Sequence, residues 1–246
     1  MTWLLLAVAG VVVGGFIGAV GIGGVLLIPA LMLLLPLDAH TASATALATF
    51  VFTGALGTLL FQRRGSIDWR KSAIVCAAAI AFSVVGAMAK TGFSGLALTR
   101  IIAVLILVAG TYIFLPTPSL AGNRQPDSPA EYALLAAIGA LAGFGSGFSG
   151  AGGPLFSVPL MLIAGYAPLV AVGVSQVLQI VAALAGTAAN LHYGSIAIVE
   201  AGWVTLFELA GVLLGVRIAH IVPPHQLRRI AAALCVVVGA VMLLRT

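Results

Sequence analysis

GVVVGGFIGAVGIGG, from Gly10 to Gly24, and GALAGFGSGFSGAGG, from Gly139 to Gly153, are two copies of one pattern. At a constant offset Gly10, Gly14, Gly18, Gly21, Gly23 and Gly24 fall on Gly139, Gly143, Gly147, Gly150, Gly152 and Gly153. The agreement continues downstream: Gly65-Ser66-Ile67 falls on Gly194-Ser195-Ile196, Gly86 on Gly215, Arg100 on Arg229 and Gly110 on Gly239. Pro29 and Pro159 match after a one-residue slip. Agreement from the first segment to the last reads as a duplication. It divides the chain into a first unit, 1–115, a proline-rich linker, 116–130 (PTPSLAGNRQPDSP at its core), and a second unit, 131–246.

Within each copy the glycines do two different things. Gly10, Gly14 and Gly18, like Gly139, Gly143 and Gly147, recur every four residues, so they share one helix face where a neighbouring backbone can approach closely. Gly21, Gly23 and Gly24, like Gly150, Gly152 and Gly153, crowd together and break the helix inside an apolar stretch. Backbone left unpaired at membrane depth is tolerated only where protein or a water-filled cavity satisfies it. A helix restarting after such a break offers free N–H groups and a partial positive charge, which suits an anion. These six glycines are therefore the first candidates for a substrate site.

Composition places the pattern in a membrane. Of 246 residues, 62% are hydrophobic and 7% charged, and mean hydropathy is +1.22. That is too little charge to cover a water-soluble surface. The net charge of +5 does not indicate nucleic acid, because the bases sit singly or in pairs at the ends of apolar runs. Runs of spanning length lie near 42–61, 72–89, 98–115, 168–191, 197–219 and 227–244. The stretches 3–35 and 131–165 are too long for one span and are broken by the glycines. Trp3, Trp69, Tyr112, Tyr132, Tyr166 and Tyr193 mark segment ends, as in an interfacial belt. MTWLLLAVAG at the start has no basic lead-in and is expected to be a membrane segment. Cys76 and Cys235 read as small buried hydrophobes; no metal and no cofactor is implied.

Charge also orients the units. Arg63, Arg64, Arg70 and Lys71 crowd one loop of the first unit, whereas the equivalent loop of the second has His192, Tyr193 and Glu200. In the second unit the bases move one loop on, to Arg217, Arg228 and Arg229. By the positive-inside rule, matched loops then face opposite sides. The expected fold is an all-α integral membrane protein of two homologous four-segment units in inverted repeat. The glycine-broken first segments would form re-entrant or discontinuous helices beside six full spans. Eight simple spans in parallel repeats are the alternative.

Behind each break runs a polar stripe. Thr41, Thr45, Thr49 and Thr53 share a face, and with the slip Thr45 matches Ser175 and Thr49 matches Gln179, with Gln176 adjacent and Asn190 further on. Hydroxyls and amides can donate hydrogen bonds to an anion and cost less to bury than a charge, the glutamines more than the hydroxyls. Threonines also bond their own helix, the better account of Thr41 and Thr53. Thr45, Thr49, Ser175, Gln176 and Gln179 join the site candidates. Glu208, inside 197–219, is a candidate for proton coupling. His192 and His220 are expected at the interface, and Lys90 is expected to snorkel to it.

GIGGVLLIP (Gly21 to Pro29), GAGGPLFSVP (Gly150 to Pro159), AVGVSQ (Ala171 to Gln176), RGSIDW (Arg64 to Trp69) and YGSI (Tyr193 to Ile196) together resemble the TauE/SafE sulfite exporter family, membrane transporters of the 4-toluene sulfonate uptake permease type. The resemblance covers essentially the whole chain. It departs at TASATA (Thr41 to Ala46), where a glycine is more usual. It implies a secondary transporter, mostly an exporter, of sulfite, sulfoacetate or other organosulfonates in a prokaryotic cytoplasmic (inner) membrane. The residues alone imply only a small anion, with the bilayer as the other partner, no nucleic acid, and a homodimer left open. A competing reading is an intramembrane serine protease built on Gly147-Phe148-Ser149-Gly150, with His192 or His220 as base. The position matching Ser149 is Val20, so the serine is not what the two copies share. A channel would need a continuous polar lining, which the sequence lacks.

Overall fold

The computed structural model describes residues 2–21, 23–114, 128–193, 195–218 and 224–244. Most of the linker, residues 116–127, and His220 lie outside the described residues. The described chain is helical: α1 (Thr2–Val20), α2 (Leu27–Leu34), α3 (Ala39–Gln62), α4 (Trp69–Ala89), α5 (Gly95–Phe114), α6 (Pro129–Ser149), α7 (Pro154–Ile163), α8 (Pro168–Tyr193), α9 (Ile198–Ile218) and α10 (Pro224–Leu244). Short 3-10 turns, Gly24–Leu26 and Lys90–Gly92, precede α2 and follow α4. Among the described residues α1, α3, α4, α6, α8 and α9 are long and apolar enough to cross a membrane.

Local chemistry sets the ends. Asp38 accepts from Thr41 N to start α3, Asp68 from Lys71 N to start α4, and Ser128 from Glu131 N to start α6, with Pro129 just inside. Gly150, in the left-handed region at φ 72°, closes α6. Each long stretch is a helix, a glycine break and a shorter return leg. The first break falls after 19 helical residues, so α1 is ~28 Å long and its return leg α2, with 8 residues, only ~12 Å. The first leg of each broken stretch is itself a full-length helix.

The packing face of each glycine trio meets a helix of the other half. A Cβ on Gly18 would stand 2.5 Å from Val212 O, and one on Gly10 3.1 Å from Phe207 Cβ, while Gly14 lies on the backbone of Glu208. Later residues of α1 thus meet later residues of α9: the two run parallel. Gly139 on Val75, Gly143 on Ala79 and Gly147 on Ser83 and Ala87 pack α6 parallel to α4 in the same way. By contrast α3 and α8 run antiparallel, with Gly186 against Leu47, Gly54 against Ile180, Gly57 against Gln176 and Gly173 against Ser66. α5 and α10 form the fourth pair, with Gly239 on Leu107 and Ala103. In lipid such seams are held by close van der Waals contact, which only small residues permit.

These directions sort the loops. Arg64 Nη1 donates to Val216 O at 3.4 Å, and the Arg70 guanidinium lies 5.3 Å from the Tyr132 ring centre. Arg64, Arg70, Arg217 and the starts of α4 and α6 therefore share one end. Thr41 Oγ1 and Ser195 Oγ at 2.7 Å, and Trp203 Nε1 donating to Trp3 O at 3.3 Å, belong to the other.

Candidate functional site

At the first break the chain turns back on itself. Gly21 N donates to Ile17 O at 3.0 Å as α1 ends, and Gly21 holds φ 79°. Gly23 then lies directly on the backbone of Val13 and Ile17, so its missing side chain is what lets the return leg pack on α1. At the second break Gly150 lies on the Ser43 backbone, Gly152 holds φ 87°, and Pro154 opens α7. Ala151 N is met by Ser149 Oγ at 3.2 Å, and Gly153 O accepts from Phe156 N and Ser157 N. No acceptor among the described residues meets the N–H of Gly24, Gly152 or Gly153.

The two breaks converge. A Cβ on Gly24 would stand 2.5 Å from Phe50 Cζ and 3.0 Å from Ala151 O, and one on Gly152 3.3 Å from Phe50 Cδ2. Phe50, fully buried, is wedged between them. One turn of α8 touches both. Gln176 Nε2 donates to Ile17 O at 3.1 Å at the first break, and Ser175 Oγ meets Ser157 Oγ of α7 at 2.7 Å beside the second. Gln179 Nε2 donates to Thr53 Oγ1 at 2.9 Å, and Leu178 covers Gly153. Gln176 Oε1 is buried without a hydrogen-bond partner among the described residues, in space left by Gly57.

The Sulfite exporter TauE/SafE family matches residues 6–242. The chain belongs to this family. It is 23% identical over 233 residues to "Probable membrane transporter protein YunE" of Bacillus subtilis (strain 168), covering 82% of this chain and 85% of that protein. It is 25% identical over 228 residues to "Probable membrane transporter protein YdhB" of the same organism, covering 92% of each. No solved structure matches. With its long apolar helices, this TauE/SafE chain is a multi-pass membrane transporter.

The remaining candidates of this TauE/SafE protein lie at different distances from the breaks. Thr45 Oγ1 accepts from Ala197 N at 3.0 Å, so its hydroxyl is committed to the turn before α9. Thr49 Oγ1 donates to Ala46 O at 2.9 Å. Thr49 lies beside Glu208, yet neither carboxyl oxygen of Glu208 has a hydrogen-bond partner among the described residues. Glu208 is fully buried where α9 meets α1 and α3. Ser149 donates to Gly145 O at 2.6 Å, a bond within its own helix turn, rather than to a histidine.

Two residues escaped the sequence reading. Phe50 looks like any apolar helix residue; only the fold puts it between the breaks. Lys90 does not snorkel: it is 2% exposed, and its Nζ donates to Ser43 Oγ at 3.1 Å. The 3-10 turn that begins at Lys90 folds back under α3, where His40 Nε2 bonds Phe93 O at 3.1 Å. A groove of about 570 Å³ between α5, α6 and α7 has Ile101, Phe144, Phe156 and Leu160 among its walls. Its wholly apolar lining gives an anion no partner.

Proposed function

We propose that the protein is a secondary transporter exporting small sulfur-containing anions, such as sulfite, sulfoacetate or other organosulfonates, across a prokaryotic cytoplasmic membrane. The observation that carries this reading is the meeting of the two glycine breaks around Phe50, beside which the N–H groups of Gly24, Gly152 and Gly153 have no acceptor among the described residues. Backbone amides at the start of restarted helices hold an oxyanion without a full positive charge. Gly21, Gly23 and Gly150 shape the breaks, and Ser175, Gln176 and Gln179 supply polar groups beside them. The antiparallel run of α3 and α8 supports inverted repeats, since equivalent helices related by an axis in the membrane plane must run oppositely. The end bearing Arg63, Arg64, Arg70, Lys71 and Arg217 then faces the cytoplasm. Phe50 closes the centre in this conformation, and rocking of the halves about it would open either side in turn. Glu208, an acid in the seam next to Thr49, is the group for proton coupling.

The test is counterflow in proteoliposomes preloaded with sulfite, sulfoacetate, taurine or a simple carboxylate. Accelerated exchange of a sulfur oxyanion supports the reading. Exchange of carboxylates alone would make this a carrier of another small anion, and hydrolysis of a membrane peptide without any exchange would favour the protease reading.

A further inference from the structure

Lysine is rarely buried without a counter-charge, because an ammonium stripped of water must be compensated. Lys90 is buried to 2% exposure, yet among the described residues it makes no ion pair and its Nζ meets one group, Ser43 Oγ at 3.1 Å. Ser43 Oγ in turn donates to His40 O at 2.9 Å, so the serine offers the ammonium only a lone pair. Asp38 is the nearby acid whose charge favours the ammonium, but among the described residues it makes no ion pair with Lys90, and its carboxylate caps α3 through Thr41 N at 2.9 Å and Thr41 Oγ1 at 3.1 Å. An ammonium has three donors, and two of those on Lys90 have no described acceptor.

The position matters as much as the deficit. The backbone of Ser43 is what Gly150, first residue of the second break, packs against. The charge thus sits on the residue that packs against the second break, at the end of the molecule away from Arg64 and Arg217. The sequence position matching Lys90 in the second half is Ala219, so the other half has no such cation there.

From this geometry we infer that Lys90 and Ser43 form a second anion subsite, on the non-cytoplasmic side of the glycine breaks, that holds a sulfonate- or sulfite-type oxyanion as it leaves or enters the centre. The inference rests on the anion-transport reading above. The ammonium supplies the full charge that the breaks lack, and charge-assisted hydrogen bonds to an oxyanion satisfy its free donors.

Sulfite and sulfoacetate counterflow by Lys90→Gln and Lys90→Arg, scored per folded protein, tests it. Lys90→Met, which has no polar end to bury, serves should the amide variant not fold. The charge-free variant should raise the half-saturating sulfite concentration about tenfold or more, while Lys90→Arg stays within about threefold. A purely structural lysine would lower the folded yield and leave half-saturation of the surviving protein unchanged. Wild-type half-saturation in a folded charge-free variant overturns the subsite and leaves the transport reading standing. Wild-type protein that exchanges neither anion overturns both.

Discussion

Gly143→Ala adds one methyl to the seam between α6 and α4, and the structure says how badly it fits. The new Cβ would stand 2.5 Å from Ala79 O and 2.7 Å from Ala79 Cα. Ordinary contact begins near 3.4 Å, so the helices must part by about 0.9 Å along a seam that Gly139 and Gly147 also keep close. Both partners are backbone, and no rotamer change relieves the clash. Overpacking of this kind costs ~1–3 kcal/mol, which in a chain of this size lowers Tm by about 2–12 °C. Gly14→Ala, on the Glu208 backbone in the matching seam of α1 and α9, should behave alike. Gly202→Ala, with nothing within 4 Å of its Cβ, is the control and should leave Tm unchanged or slightly raised. Tryptophan-fluorescence melting of detergent-purified protein, with folded yield from gel filtration, reads all three. Equal Tm for Gly143→Ala and Gly202→Ala would refute the close-packed seam.

Glu208→Gln keeps the side chain's shape and removes its titration. If Glu208 couples protons, transport by this variant loses its pH dependence while folded yield is kept; an unchanged pH profile leaves Glu208 a packing residue only. Asp68→Ala removes the cap of α4 and should cost ~1 kcal/mol near neutrality. Burial works to raise the Asp68 pKa, but the hydrogen bonds from the Lys71 side chain and backbone outweigh it and hold the carboxyl below its ordinary 3.8. Its contribution is therefore full above that value and fades as pH falls through the lowered one, so the two proteins' melting curves should converge only in strong acid. Single cysteines at Arg64 and Arg217 should both be labelled by membrane-impermeant reagent only from the cytoplasmic side; labelling from opposite sides would end the topology proposed here.

Periodicity and punctuation made much of this legible. The breaks after Val20 and Ser149 were readable because clustered glycines cannot continue an apolar helix, and Gly14 and Gly143 were readable as packing positions from their four-residue spacing. A glycine face announces that some backbone comes close without saying whose. That α1 meets α9 across the halves, and α6 meets α4, therefore had to come from the fold. Gly23 looked equivalent to Gly24 in sequence. One lies on the Val13 and Ile17 backbone and the other faces Phe50, a difference set by which way the chain folds back. Lys90 was misread because a base ending an apolar run looks the same whether it reaches water or is covered. Here it is covered, with its Nζ on Ser43 Oγ, and the turn that follows is tied to α3 by the bond between Phe93 O and His40.

Sulfite counterflow by Gly24→Ala and Gly153→Ala, normalised to folded protein, tests most directly whether the two breaks hold the anion. A methyl at Gly24 would stand 2.5 Å from the end of the Phe50 ring and 3.0 Å from Ala151 O, and one at Gly153 2.9 Å from Leu178 Cδ2, so the closest clash at each is with a side chain and not, as at Gly143, with backbone. Folding should survive while the approach to the break amides is obstructed. The predicted result is near-normal folded yield with half-saturation raised about tenfold or more, in contrast to Gly143→Ala, which loses folded protein first. Wild-type half-saturation in folded Gly24→Ala and Gly153→Ala would contradict the claim and leave the breaks as devices of packing alone.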